Sequence, residues 1–240
     1  MKRSEIRGQH SRSQIAPGFH FVHPGYALLL CMTGAGRLSA LCNVRPHHET
    51  RAARTLSAAI DAAGFRYAPD LIDAAEEARL VAALADLPFK EFEFHGFLGK
   101  RRVVSFGFRY DFDGGGLTET EPMPPFLLPV RGRAAAFAGL TPDRLQHVLI
   151  TEYRPGAAIG WHRDRPHYDD VIGISLLSPC TFRMRRKRGS AWERASLRLD
   201  RRSVYLMRGP SREDWEHSIP AVEELRYSIT FRALRDAVAR

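Results

Sequence analysis

The sequence predicts an α+β protein whose core is an antiparallel β-sandwich or barrel. Two observations point to this class. Short runs of β-branched and aromatic residues recur through the second half of the 240-residue chain, separated by turn residues and not by helices at βαβ spacing. Only two segments have clear helical patterning, near residues 73–86 and 130–139. The chain also contains no P-loop and no GxGxxG motif, so a nucleotide-binding α/β fold is not indicated.

The first 57 residues differ in composition from the rest. They are rich in Arg, Ser, His, Gly and Pro, and their one apolar run, residues 26–32, is too short to span a membrane. We therefore interpret residues 1–57 as a loosely ordered basic extension and residues 58–240 as one folded domain. Residues 1–63 carry eight Lys and Arg against three Asp and Glu, which is more than half of the net charge of +9. Bulk charge therefore gives only mild support for a polyanionic partner.

The composition indicates the class of protein and the redox state of its compartment. A hydrophobic content of 44% and a charged content of 26% are ordinary for a soluble globular protein. The three cysteines, Cys31, Cys42 and Cys180, do not make a disulfide framework, which fits a reducing compartment. We expect a cytoplasmic monomer without a membrane partner.

Each helix is predicted from its ends. Asp73 followed by Glu76 is typical of a capping box, and Pro88 stops the helix after Leu80 and Leu84 have lined one side. The second helix is rich in Ala and ends at Gly139. Strands are predicted at residues 147–153, 171–177, 180–184, 203–207 and 226–232, with a basic hairpin arm at residues 183–188 that returns through residues 192–199.

The segment Ile-Gly-Trp-His-Arg-Asp-Arg-Pro, residues 159–166, carries the first functional pattern. If it is extended, His162 and Asp164 leave the same face of the backbone. With the distant His217 they make two His and one carboxylate, the ligand set of non-haem Fe(II) oxygenases. The His-x-Asp spacing alone is weak support, because a chain with 10 His and 27 acidic residues shows it by chance.

The second pattern is Arg-Tyr-Ser-Ile-Thr-Phe-Arg at residues 226–232. Apolar and polar residues alternate with the period of a half-buried strand. The polar face carries Arg226 and Arg232 with two hydroxyls between them, and two guanidinium groups can bind a small dianion from both ends. The alternative is an edge strand with a solvated basic face.

Together these patterns resemble the AlkB family of Fe(II)- and 2-oxoglutarate-dependent dioxygenases. Further matches are Glu-Tyr-Arg-Pro-Gly at residues 152–156, Ile-Ser-Leu at 174–176 and Gly-Pro-Ser-Arg at 209–212. The resemblance is clear from residue 65 to residue 235. It implies a double-stranded β-helix (jelly-roll) core with flanking helices and an N-terminal substrate lid.

The resemblance also implies the cofactors and the site. Fe(II) would be bound by the catalytic residues His162, Asp164 and His217, with 2-oxoglutarate and O2 as co-substrates. The residues implied to bind 2-oxoglutarate are Arg226, which would pair with the far carboxylate, and Arg232, Tyr153, Thr151 and Ser228.

A nucleic-acid substrate is the implied partner, through oxidative demethylation of N-alkylated bases in DNA or RNA. In this family the segment before the core covers the nucleotide, and here aromatic and basic residues interleave over residues 89–112. A hairpin whose aromatics belong to the core is the plainer interpretation for half of them. The candidate substrate residues are Arg101, Arg102, Phe106, Tyr110, Trp161, Arg185 and Arg186.

Two departures from the family leave the substrate open. Thr151 stands where many relatives have an Asn that contacts 2-oxoglutarate, and Pro166 stands where some DNA-repair members have an acidic residue that contacts the methylated base. Oxygenation of a protein or a small molecule is therefore the alternative. A non-catalytic metal-binding module is a third, against which the intact ligand set and both arginines argue.

Overall fold

The computed structural model describes residues 63–94, 97–111 and 116–235. The extension predicted at residues 1–57 lies outside them. The strands are β1 (Phe65–Ala68), β2 (Lys90–Phe94), β3 (Phe97–Phe106), β4 (Phe108–Asp111), β5 (Gly116–Glu119), β6 (His147–Tyr153), β7 (Ile159–His162), β8 (Tyr168–Leu176), β9 (Cys180–Arg188), β10 (Ala191–Leu199), β11 (Val204–Met207), β12 (Glu216–Ile219) and β13 (Arg226–Leu234).

Two antiparallel sheets form the body of the domain. The major sheet has seven strands in the order β1-β11-β8-β13-β6-β3-β2, and the minor sheet has four in the order β10-β9-β12-β7. A separate hairpin pairs β4 with β5. These sheets, with few helices, confirm the predicted α+β jelly-roll class. The lid part of that prediction stays a prediction.

Two helices and one short helical turn accompany the sheets: α1 (Ala74–Ala85), α2 (Leu128–Ala138) and α3 (Pro210–Glu213). The N-cap of α1 is as predicted, since the Asp73 carboxylate accepts a hydrogen bond from the Glu76 N–H at 2.7 Å. Gly139 ends α2 with a φ of 69°, in the left-handed region that glycine tolerates best. Within the described ranges, no helix is long and apolar enough to cross a bilayer.

The expectation of a half-buried strand at residues 226–232 is wrong, because all nine residues of β13 are buried. The reason is its place in the centre of the major sheet, with β6 on one side and β8 on the other. Tyr227, Ile229 and Phe231 pack into a core cluster that also contains residues of α1 and α2. The same central position excludes the edge-strand alternative.

The opposite face of β13 points between the two sheets. A second core cluster fills part of that space and draws on both sheets, with Phe65 and Tyr205 from the major one and Phe182 and Met184 from the minor one. The polar residues of β13 therefore share an interior with aromatic side chains. That interior is where the candidate site lies.

Candidate metal and co-substrate site

The three predicted metal ligands converge at the inner face of the minor sheet. The antiparallel register sets His217 of β12 directly opposite His162 of β7, and their ring centroids are 4.2 Å apart. Asp164 follows two residues after His162, beyond the end of β7, and its Oδ2 lies 3.8 Å from His217 Nε2. His162 and Asp164 are thus close because they are near neighbours in the sequence, and the pairing of β12 with β7 adds His217.

The convergence is close to, but wider than, a closed ligand set. Among the described residues, no three His, Cys, Asp or Glu side chains stand at full metal-binding spacing. Two ligands bonded to one metal at about 2.1 Å and a right angle lie about 3 Å apart. Asp164 Oδ1 accepts hydrogen bonds from Arg232 Nε at 3.0 Å and Nη2 at 2.8 Å. The Asp164 oxygen on the side of His217 is Oδ2.

Side-chain protonation in the cluster suits metal binding. Burial lowers the pKa of His217 to about 3 and also lowers the pKa of His162. Burial opposes ionisation of Asp164, but Arg232 and the two His rings outweigh it and hold the pKa of Asp164 well below its ordinary value. His162 Nδ1 lies 2.9 Å from the Gly160 carbonyl, which leaves Nε2 as the nitrogen for a metal. Neutral imidazoles and an ionised carboxylate are the forms that coordinate.

Arg226 is the most unusual side chain in the interior. It is fully buried, its Nε donates to Ser175 Oγ at 3.1 Å, and its guanidinium lies 5.1 Å from the centroid of the Tyr153 ring. Within the described part of the chain, neither of its terminal nitrogens has a hydrogen-bond partner. An unpaired buried guanidinium is strongly unfavourable. The geometry therefore fits a carboxylate ligand at these two nitrogens.

The other predicted co-substrate residues line the same face of the major sheet. Arg226 stands opposite Tyr153 and Ser228 opposite Thr151 in the β13–β6 register. Both Thr151 and Ser228 are buried. Because directly opposed residues in an antiparallel pair share a face, these four and Arg232 face one interior. One end of this interior carries the Arg226 guanidinium, the middle carries hydroxyls, and the other end carries the Arg232–Asp164 ion pair. The Arg226 end therefore suits a carboxylate.

Tyr205 is a lining residue that the sequence did not reveal. Gly173 stands opposite it in the neighbouring strand, and a Cβ on Gly173 would lie 2.2 Å from the Tyr205 ring. Glycine therefore allows the ring to lie flat against the backbone of β8. Burial and the Asp164 carboxylate both raise the pKa of Tyr205, so its hydroxyl stays protonated. The glycine inside an apolar strand was the one sequence signal for this close approach.

Two further polar residues, Arg212 and His147, contact the residues around the metal cluster. Arg212 of α3 donates through Nη2 to the carbonyls of Arg165 and, at 2.9 Å, Tyr168, and so holds the loop that follows Asp164. His147 lies 3.5 Å from Arg232 Nη1 and stacks on Tyr168 with ring centroids 5.0 Å apart. Burial lowers the pKa of His147 well below its ordinary value.

The residues of β3 predicted to form the lid lie on different faces of the major sheet. Arg101 stands opposite Tyr153 in the β3–β6 register, lies 3.8 Å from the Phe92 ring centroid, and has its pKa lowered by burial. Arg102 points to the other face and forms a two-point ion pair with Glu152 at 2.8 and 2.7 Å. Phe106 is 5% exposed within the helix-side core, so its assignment to the substrate is wrong. The Tyr110 side chain lies outside those described.

The predicted basic rim at residues 183–188 does not form one surface. Alternation along β9 sends Arg185 to the outer face, where it pairs with Glu216, and Arg186 to the inner face, where it pairs with Glu193. Trp161 lies between Arg183 and Arg185, at 5.2 and 4.4 Å from their guanidinium carbons. Since it neighbours His162 on an extended strand, Trp161 faces away from the metal cluster and does not line its cavity.

Comparison with known proteins agrees with this geometry. The profile of the 2OG-Fe(II) oxygenase superfamily matches residues 64–232. An Arabidopsis thaliana protein named "Alkylated DNA repair protein ALKBH8 homolog" is 26% identical over 199 residues, which cover 72% of this chain and 56% of that protein. A Macaca fascicularis protein named "tRNA (carboxymethyluridine(34)-5-O)-methyltransferase ALKBH8" is 27% identical over 51% of this chain and 19% of its own. The chain thus spans about half and about a fifth of these relatives.

Two solved structures share the fold. "The structure of OsALKBH1" superposes with a TM-score of 0.56 at 14% identity, covering 71% of this chain and 96% of that one. An "Oxidoreductase, 2OG-Fe(II) oxygenase family, from Burkholderia pseudomallei" superposes with a TM-score of 0.53 at 18% identity, covering 75% and 90%.

Proposed function

This chain belongs to the 2OG-Fe(II) oxygenase superfamily, and from that premise we propose that it oxidatively removes alkyl groups from nitrogen atoms of nucleobases in DNA or RNA. The AlkB resemblance seen in the sequence is confirmed. Fe(II), 2-oxoglutarate and O2 are the cofactor and co-substrates of an enzyme of this superfamily. The assignment of residues and of the substrate is our proposal.

Arg226 carries the proposal for the co-substrate. Its two buried terminal nitrogens without partners would bind the far carboxylate of 2-oxoglutarate through a charge-assisted, two-point contact. The Tyr153 hydroxyl and Ser175 would support that end of the molecule. Arg232 would stand near the other end, with Thr151 and Ser228 between.

His162, Asp164 and His217 would hold Fe(II), which with 2-oxoglutarate and O2 supplies the oxidation of an unreactive C–H bond. The chain contributes the surroundings. Arg232 keeps Asp164 ionised and oriented, and Phe182, 5.3 Å from the His217 ring, helps to exclude water. Once an N-methyl group is hydroxylated, the carbon leaves as formaldehyde and the unmodified base remains.

A nucleic-acid substrate is supported by Arg101 and by the relatives. Arg101 is a desolvated cation beside Phe92, on the same sheet face as Tyr153. An arginine and an aromatic ring beside the residues proposed for the site suit a phosphate and a base. The names of the Arabidopsis and macaque relatives refer to DNA repair and to tRNA.

Oxygenation of a protein or a small molecule has its own support. Pro166 is exposed just after the metal cluster and offers no side-chain hydrogen bond to a base. Arg102 and Arg186 form ion pairs with Glu152 and Glu193. They therefore offer less positive charge to a phosphate than the sequence indicates. The oxygenation chemistry would be the same, and only the substrate that the protein recognises would differ.

The test is release of succinate and formaldehyde. The protein is incubated with Fe(II), ascorbate and 2-oxoglutarate, with DNA or RNA oligonucleotides that carry N-methylated adenine or cytosine, and with unmethylated oligonucleotides as the control. We expect formaldehyde only with the methylated strands and none from Asp164→Ala. Succinate released at the same rate with methylated strands, with unmethylated strands and without any oligonucleotide, and with no formaldehyde, would be uncoupled turnover and would move the substrate to a protein or small molecule. Neither product, with no Fe(II) bound, would indicate a non-catalytic module.

A further inference from the structure

The outer face of the minor sheet, turned away from the metal cluster, carries an unusual row of side chains. Strand register places Lys187 opposite Trp192, Arg185 opposite Arg194, and Arg183 opposite Ser196 in the β9–β10 hairpin. On the other side, Glu216 and Ser218 of β12 stand opposite Arg185 and Arg183. Directly opposed residues share a face, so the outer face is defined by Trp161, Arg183, Arg185, Lys187, Trp192, Arg194, Ser196, Glu216 and Ser218.

Arg185 joins the two indole rings of this face. Its guanidinium carbon lies 4.4 Å from the Trp161 ring centroid and 4.3 Å from that of Trp192, and its Nε donates to Glu216 at 2.7 Å. Arg183 lies 5.2 Å from the Trp161 centroid. Cation and ring thus alternate across neighbouring strands. The stack holds Trp192 in place, since a ring packed against a fixed guanidinium loses mobility.

Trp192 is the last ring of this stack and is partly exposed to solvent. It is 37% exposed, one of few large hydrophobic side chains in the described residues to be so exposed. Arg185 stands over one side of its ring, so the exposure belongs to the other side. A rigid indole with one ring face in solvent is a platform for another flat, aromatic group.

The charge around Trp192 favours an anionic ligand. Lys187 and Arg194 flank it on the outer face and are exposed. Glu216 is the acidic side chain of this face, and it is engaged by Arg185. An exposed aromatic ring and cations without acidic partners occur together in sites that bind single-stranded nucleic acid, because each nucleotide presents a π-face and a phosphate.

We propose that the outer face binds a single-stranded segment of nucleic acid, with a base stacked on Trp192 and phosphates near Lys187 and Arg194. The proposal rests on the nucleic-acid function proposed above and adds a second contact region to it. An unpaired base is required, since bases within a duplex keep their faces covered by neighbours. The outer face can be reached from the metal cluster, because Trp161 and His162 are adjacent residues on opposite faces of β7. A nucleic-acid strand that passes around the edge of β7 would contact both faces.

The experiment measures binding of a fluorescein-labelled oligo(dT) or oligo(rU) of about 16 nucleotides by anisotropy. Trp192→Ala is expected to weaken binding by about 5- to 150-fold, the range for loss of one stacked base, while Trp192→Phe retains most of the affinity. Leu128→Ala, at an exposed apolar residue of α2, is the matched control and should bind like the wild type. Equal melting temperatures would show that the variants fold.

A second measurement separates charge from stacking. Neutralising Lys187 and Arg194 together (Lys187→Gln, Arg194→Gln) should reduce the slope of log affinity against log salt by about 1.4. Unchanged affinity of Trp192→Ala for an oligonucleotide that the wild type binds would overturn this inference alone when the wild type also releases formaldehyde from the methylated strands. If the wild type binds neither oligonucleotide but releases formaldehyde, this inference falls and the nucleic-acid function stands; if it does neither, both fall. Equal loss in Leu128→Ala would assign the effect to general destabilisation and also overturn it.

Discussion

Two arginines of β13, six residues apart, have opposite surroundings. Arg226 and Arg232 leave the same face of one strand, and both are buried. Arg232 is satisfied by Asp164, which accepts from it twice. Arg226 has one hydrogen bond, to Ser175, and two terminal nitrogens without partners in the described chain. Arg232 is thus paired within the protein, whereas Arg226 leaves two donors for the carboxylate that we propose as its ligand.

This difference explains how the same residue type serves two purposes. A paired buried charge keeps its partner ionised and fixed, as the depressed pKa of Asp164 shows. An unpaired buried charge lowers the stability of the free protein and strengthens binding of the anion that relieves it. The four changes below test this contrast, from the largest expected effect to the smallest.

Replacing Arg232 with Met should lower the free energy of unfolding by about 3–5 kcal/mol, because it leaves the buried Asp164 carboxylate without its cation. Urea denaturation of the protein without Fe(II) and 2-oxoglutarate measures it. The double variant Arg232→Met, Asp164→Asn is the control and should recover part of the loss, since it removes both charges. A loss that is the same in the double variant would argue against the pairing.

Replacing Arg226 with Met should raise the 2-oxoglutarate concentration for half-maximal succinate release by at least about 30-fold, which corresponds to about 2 kcal/mol. The stability of the free protein should stay the same or rise, because an unpaired buried charge is replaced by an apolar side chain. The two readouts together distinguish Arg226 from Arg232. A large fall in stability of the free Arg226→Met protein would show that Arg226 has an internal anionic partner in addition to Ser175.

Glu152, on the opposite face of β6, offers a purely structural comparison. It accepts hydrogen bonds from Arg102, Arg154 and the Tyr227 hydroxyl. Glu152→Gln should lower the free energy of unfolding by about 1 kcal/mol at neutral pH, since its arginine partners are partly exposed. The 2-oxoglutarate requirement should not change, because none of these groups faces the interior.

The pH dependence of that loss has a defined sign. The hydrogen bond from Arg102 is the main cause that lowers the pKa of Glu152 from its ordinary value of 4.5. The contribution is therefore fully present above pH 4.5 and disappears as the pH falls through the lower folded-state pKa. Wild type and Glu152→Gln should converge in stability on acidification. A difference that persists at low pH would point to packing instead of charge.

Deleting residues 1–57 should have the smallest effect. The superfamily match begins at residue 64, and the first strand of the described structure begins at Phe65. We expect the truncated protein to fold and to keep its turnover of 2-oxoglutarate without substrate. Circular dichroism and succinate release measure this, and aggregation of the truncated protein would show that the extension belongs to the domain.

Local sequence patterns were enough to select the candidate site residues. His162 and Asp164, the alternation that sets Arg226 and Arg232 on one face, and the caps at Asp73 and Gly139 depend on backbone period and turn chemistry. Both are fixed within a few residues of the chain. The fold class and the cofactors followed from these patterns and their resemblance to a known family.

Tertiary structure decided which side chains meet. Tyr205 enters the interior because register places it over Gly173, and Arg102 is neutralised by Glu152, which lies 50 residues away. Alternation along β9 separated Arg185 from Arg186, and strand pairing then gave each a different acidic partner. The central place of β13 buried both of its faces. Sequence could not reveal these contacts, because register between distant strands is set by the packing of the whole domain.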